Sequence, residues 1–382
     1  MSRAVKIQSF RLFFPAAALL AAAIVPLSLW AVQSGTGWPP GLLGAGHGHE
    51  LMFGFALALI AGYTLGPQPA RVLLPLFGLW LAARITWILA PDTIPAMALS
   101  PAFAVALACL VVPRFQAAKK WRNRMLGPLF LVLFLLPLVW LLVPWLVSAS
   151  DGALPDQRRL MHFGILALLL LMMFMGGRII APAVGGTLEK KGIAQAARVQ
   201  PRIEAALILT LAGAALLLLA PSMAPTAGGL LLVAAVLLLV RIVRWRLWLC
   251  PERADLMGLG LCYTWVAVGA AVTGSALIRG HSPAASLHLI TVGALGSLSC
   301  AVALRLYFQK AWHQPPPALW VWSTLVLVSL SAITRFLAGN TPFAAPLLLW
   351  LSATCWSVAF LSLATRLALP LTFGAGAKTR RI

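Results

Sequence analysis

Apolar residues run through this chain in long stretches, broken at intervals by Pro, Gly and charged positions, from residue 12 nearly to the C-terminus. Each stretch approaches the roughly 20 residues that an α-helix needs to cross the hydrocarbon core of a bilayer. The pattern predicts about twelve such spans. They lie near residues 12–32, 48–66, 72–90, 96–113, 126–147, 158–180, 203–220, 226–245, 256–277, 284–308, 317–338 and 344–368. Arg3, Lys6 and Arg11 precede the first span in the manner of a signal peptide. Its apolar run from Leu12 to Trp30 is too long for a signal-peptide core, so it reads as a retained helix.

Composition agrees with that pattern. With 61% hydrophobic residues, only 10% charged and a mean hydropathy of +0.94, the chain is not a soluble globule. The fold class is an all-α integral membrane protein, and residues 1–382 form one polytopic membrane domain. The longest loop, about 181–202, leaves no room for a soluble domain. Five scattered cysteines form neither a CxxC nor a CxxCH motif, which argues against thiol-redox chemistry and covalent haem attachment.

A formal net charge of +21 would suggest nucleic acid in a soluble protein. Here the basic residues follow the loops instead, which removes nucleic acid as a partner and leaves membrane lipid. One side carries Arg3, Lys6, Arg11, Arg71, Arg114, Lys119, Lys120, Arg122 and Arg124. The same side carries Arg178, Lys190, Lys191, Arg198, Arg202, Arg241, Arg244, Arg246, Arg253, Arg305, Lys310, Arg366, Lys378, Arg380 and Arg381. The opposite loops hold only Arg158, Arg159, Arg279 and Arg335, and Arg84 falls inside the third span. The positive-inside rule then places both termini in the cytoplasm.

This orientation gathers the candidate chemistry. His47 and His49 open the second span, His162 lies early in the sixth and His288 early in the tenth. All three spans run inward, so these histidines share one depth near the outer face. Glu50 and Arg84 lie at the same level. A lone histidine there reads as a hydrogen-bonded interface residue, but four together with a carboxylate and a guanidinium read as a site. Their spans are four helices apart, which suggests three four-helix units around a pseudo-threefold centre.

Helical phase adds detail. His47, Glu50, Gly54, Ala58 and Gly62 share a face, and its small residues admit a neighbouring helix or a flat macrocycle. His47 and His49 are about 200° apart on an ideal helix, unless Gly46 and Gly48 hold His47 in the loop. Neutral imidazole ligates metals and haem, and its second nitrogen needs a partner such as Glu50. Arg84 needs an anion, with Glu50 and a haem propionate as candidates. Gly176-Gly177-Arg178 reads as a helix end. His281 and His313 fall in loops and join no cluster.

Several segments together resemble the NnrS family. They are Phe10-Arg11-Leu12-Phe13-Phe14-Pro15, the run His47-Gly48-His49-Glu50-Leu51-Met52-Phe53-Gly54-Phe55, and Gly78-Leu79-Trp80-Leu81-Ala82-Ala83-Arg84. Gly176-Gly177-Arg178-Ile179-Ile180 and Leu287-His288-Leu289-Ile290-Thr291-Val292-Gly293-Ala294-Leu295-Gly296 continue the series. The resemblance implies a multi-pass protein of the bacterial inner membrane that carries haem b and copper. It implies a role in nitric oxide and nitrosative-stress tolerance or sensing, with nitric oxide or a related small molecule as ligand and a redox protein as a further partner.

The layout is also similar to the catalytic subunit of haem-copper oxidases. By that analogy His47 or His49, with His288, would hold haem, with Glu50 and Arg84 beside it, and His162 would hold a second metal. The tenth span carries one histidine where those enzymes use two, so a full dinuclear centre is not expected. Whether nitric oxide is turned over stays open. The competing class is a transporter or channel that uses the His/Glu/Arg cluster as a proton or substrate pathway.

Overall fold

The computed structural model describes residues 6–149, 154–194, 200–341 and 343–373. Of the expected topology charges, Arg3, Arg198, Lys378, Arg380 and Arg381 lie outside the described residues. The chain divides into two compact units, Met1–Leu142 with Trp356–Ile382, and Val143–Cys355.

The first unit opens with strand β1 (Lys6–Gln8) and helix α1 (Phe10–Gln33). The second span combines α2 (Gly46–His49), a π-helical segment (Glu50–Ala56) and α3 (Leu57–Thr64). Strand β2 (Pro67–Pro69), α4 (Ala70–Leu89), α5 (Ile94–Gln116), the single turn α6 (Trp121–Arg124) and most of α7 (Leu126–Ala149) follow. The second unit contains α8 (Gln157–Lys190), α9 (Pro201–Leu217), α10 (Ala224–Trp245) and α11 (Ala254–Ile278). It continues through α12 (Ala284–His288), a second π-helical segment (Leu289–Gly296), α13 (Ser297–Ala311) and α14 (Ala318–Leu337). The last helix, α15 (Pro346–Phe373), begins in the second unit and ends in the first.

All twelve expected spans are helical among the described residues, with bounds within a handful of residues except at α8, which continues to Lys190. Among the described residues, ten helices are individually long and apolar enough to cross a membrane. The remaining two spans are the second, which its π segment divides, and α9, which has 17 residues. The faces of these helices carry the membrane signature. On α4 the inward positions are Leu73, Leu76, Trp80, Ala83 and Arg84, while Leu74, Leu81 and Ile85 point outward and are exposed. A soluble helix would show polar residues on that outer face; here the outside is as apolar as the inside.

Two features fix helix positions where greasy surfaces alone would leave them free to slide. An antiparallel clasp, unexpected from the sequence, pairs Lys6 with Pro69, Ile7 with Gln68 and Gln8 with Pro67. Ser9 extends it, donating from N–H to the Gly66 carbonyl (3.1 Å) and from Oγ to the Gly62 carbonyl (2.9 Å). In the second unit α10 and α11 touch backbone to backbone at Gly228 and Gly274. A Cβ added to either would lie 2.6 Å from the other's carbonyl oxygen, so only glycine permits the crossing.

Pro26 shows how an apolar helix manages a broken ladder. Proline has no N–H, so the carbonyl four residues back, on Ala22, loses its helical donor. Ser357 Oγ on α15 donates to that oxygen at 2.7 Å, and Trp356 Nε1 donates to the neighbouring Ala21 carbonyl at 2.8 Å. Ser357→Ala should therefore lower the stability of the detergent-solubilised protein by about 1 kcal/mol. The loss should shrink in a Pro26→Ala background, where the ladder supplies its own donor. A thermal-unfolding double-mutant cycle on these two positions checks both expectations.

Candidate functional site

In the first unit the site is built around the start of the second span. The chain turns at Gly44 (φ +55°) and enters α2 with Gly46 packed against the Gly41 carbonyl. Gly41 in turn lies against the backbone of Trp87, where no side chain would fit. His47 and His49 are both inside α2, so the alternative of a loop-held His47 is removed and the two rings leave opposite sides of the turn. His47 is half-buried; His49 and Glu50 are buried.

The π segment begins at Glu50, the residue after His49. Glu50 and Gly54, four positions apart within it, both face Arg84. Glu50 Oε1 accepts from Arg84 Nη1 at 2.7 Å and lies 3.1 Å from His49 Nδ1. Arg84 Nη2 also donates to Ser100 Oγ on α5. Of the two anions expected to pair with Arg84, the structure contains Glu50. With the Glu50 oxygen as acceptor, His49 Nδ1 would carry the hydrogen and Nε2 the lone pair. Glu50 Oε2 and Arg84 Nε, both buried, have no hydrogen-bond partner.

Aromatic rings enclose the imidazole. His49 stacks on Trp87 with centroids 3.5 Å apart and planes at 13°, and Phe53 meets it edge-on at 4.9 Å. The glycine face beyond it packs against protein: Cβ atoms on Gly54 and Gly62 would meet Arg84, Leu20 and Phe14. Of the two uses expected for that face, it is the helix-packing one that appears.

In the second unit His288 ends α12 and is half-buried. Its Nδ1 donates to the Ala284 carbonyl at 2.7 Å, which again leaves the lone pair on Nε2. The second π segment starts at the next residue, and Gly293 lies five residues on, where a Cβ would meet the Trp265 ring. His49 and His288 thus share a local plan: a histidine with Nδ1 engaged on its own helix, then a π turn, then a glycine at the fifth position. His162 does not share it. It lies half-buried in the second turn of α8, which is α-helical without interruption. Among the described residues no three His, Cys, Asp or Glu side chains gather as a metal-holding group.

A family model described as NnrS protein matches residues 5–372, nearly the whole chain. The chain belongs to the NnrS family. No curated protein matches it.

Within this NnrS-family chain the structure also corrects three sequence expectations. Gly176-Gly177-Arg178 is no helix end, because α8 continues to Lys190. The two glycines instead make room for the Tyr263 ring and the Arg241 guanidinium, which Cβ atoms would overlap. Arg241 is not a loop charge either. It is buried within α10, donating from Nη1 to Tyr263 Oη (3.2 Å) and the Met173 carbonyl (3.4 Å), with Glu204 Oε2 3.9 Å from Nη2. Arg305 likewise lies within α13 and pairs with buried Asp255, which Arg253 also holds through two 2.9 Å bonds. The available signal was that Glu204 and Asp255, two of only eight acids, stand at the edges of apolar runs and call for cations.

Outside the spans, Glu252 is held below the usual carboxylate range, first by its hydrogen bond from Lys191. Burial pushes the nearby Cys250 thiol up.

The Glu50–Arg84 pair makes a direct prediction. Glu50→Ala should destabilise the protein by about 3–5 kcal/mol, because it strands a buried guanidinium. Glu50→Leu combined with Arg84→Met should recover most of that loss. Thermal unfolding of the purified variants in one detergent measures both.

Proposed function

We propose that this NnrS-family protein binds haem b, with His49 and His288 as candidate iron ligands, and acts in bacterial tolerance or sensing of nitric oxide. The carrying observation is the shared plan of the two histidines. Each has Nδ1–H committed to an oxygen on its own helix and Nε2 left with the lone pair, the arrangement that fits an iron ligand. The π turn after each supports the reading, since such turns concentrate at functional sites. The aromatic enclosure of His49 suits an apolar macrocycle. Bound haem would supply an iron atom that takes up a diatomic ligand and exchanges one electron.

The residues divide the remaining work. Glu50 accepts the proton-bearing Nδ1 of His49 and raises the ring's strength as a donor. Arg84 pairs with Glu50, and Ser100 holds Arg84. Of the two histidines on α2, His49 is the proposed ligand because its Nδ1 partner is a carboxylate. The distribution of Lys and Arg supports an inner-membrane orientation with both termini cytoplasmic. Copper rests on family resemblance.

The test is absorbance spectroscopy with metal analysis on the purified protein. The wild type should show a Soret band that shifts on addition of nitric oxide. His49→Ala and His288→Ala should each lose or shift that band, and His313→Ala should not. A wild type without a Soret band, or bands untouched in both variants, would sink the haem assignment. Nitric oxide consumption by membranes carrying the same variants then separates turnover from binding.

A further inference from the structure

We infer that Trp87 is a positioning residue that sets the plane of the His49 imidazole; this rests on the haem reading of His49. The Glu50 bond selects the tautomer of His49, but one hydrogen bond at Nδ1 leaves the ring free to swing about that contact. A face-to-face neighbour removes the swing. Trp87 lies 3.5 Å from His49 at 13° between planes, and Phe53 closes the edge at 88°.

Trp87 is itself held on both sides. Its Nε1–H donates to the Gly41 carbonyl at 3.0 Å. Gly41 sits so close to the Trp87 backbone that a Cβ there would overlap it. The indole is therefore tied to the segment before α2 and to α4 at once, which fixes its plane. The imidazole therefore takes part of its orientation from α4, in addition to the Glu50 and Phe53 contacts of its own span. In a low-spin ferric haem the plane of an axial imidazole splits the iron d orbitals. Trp87 would thus set a spectroscopic property without touching the iron.

Electron paramagnetic resonance of the purified, haem-loaded full chain tests this, with haem content measured on every sample. Trp87→Leu removes the stacking face and should shift and broaden the largest g value at wild-type haem content. Trp87→Phe keeps a flat face and should restore the position of the signal. It should leave the line broader than wild type, because the Gly41 anchor is gone. A Trp87→Leu protein with full haem content and the wild-type signal overturns the inference. If Trp87→Leu does not fold, Trp87→Phe decides: a wild-type line width overturns the inference and a broadened one supports it. A wild type without haem overturns the haem reading itself, and a signal that survives His49→Ala overturns His49 as the ligand. A signal lost in His49→Ala and unmoved in Trp87→Leu overturns only the role of Trp87.

Discussion

Helices that are apolar on every side have no preferred neighbour, because lipid solvates them as well as another helix does. In this protein the few polar and small residues therefore decide which helix lies against which. Glu50 can be buried only where Arg84 meets it, and that requirement fixes the second span against α4. Ser100 adds α5 to the same contact. Arg241 does the same in the second unit, reaching Tyr263 on α11, Glu204 on α9 and Met173 on α8. Glycines act in the complementary sense, marking where a neighbour must come closest: Gly62 for Phe14, Gly177 for Arg241, Gly228 for Gly274. The site at His49 is a by-product of this logic, since the carboxylate that orients the imidazole is also the one that joins the helices.

Much of this was legible in the sequence, and what was not has identifiable causes. Span positions follow from hydropathy, which depends on length and residue type alone. Glu50 and Arg84 could be matched in depth because the alternation of basic loops orders the helices. The π segments left no trace, because an i→i+5 turn uses the same residues as an i→i+4 turn and differs only in one extra position per turn. Arg241 was misread because Arg244 and Arg246 follow it closely, so that a helix end resembled a basic loop. The role of Gly176 and Gly177 depended on side chains from α10 and α11, far along the chain, that no local pattern could supply.

His49 and His288 share a plan but differ in one respect that matters for chemistry. The first has its Nδ1 hydrogen-bonded to a carboxylate oxygen and the second to a peptide carbonyl. An anionic acceptor makes the imidazole a stronger electron donor than a neutral one does. Under the proposed function His49 would be the stronger electron donor of the two. His162, on an unbroken helix, belongs to neither pattern.

The bonds that repair α1 also set an order of events in biogenesis. Ala22 and Ser357 are separated by 335 positions, so α1 is completed by a helix made long after it. At ordinary elongation rates of about 5–20 residues per second, tens of seconds pass between their synthesis. Throughout that interval the carbonyl exposed by Pro26 stays in the bilayer without the hydroxyl that will finally take it. A chain cut short before α15 would have its first unit open at α1, a ready mark for membrane quality control.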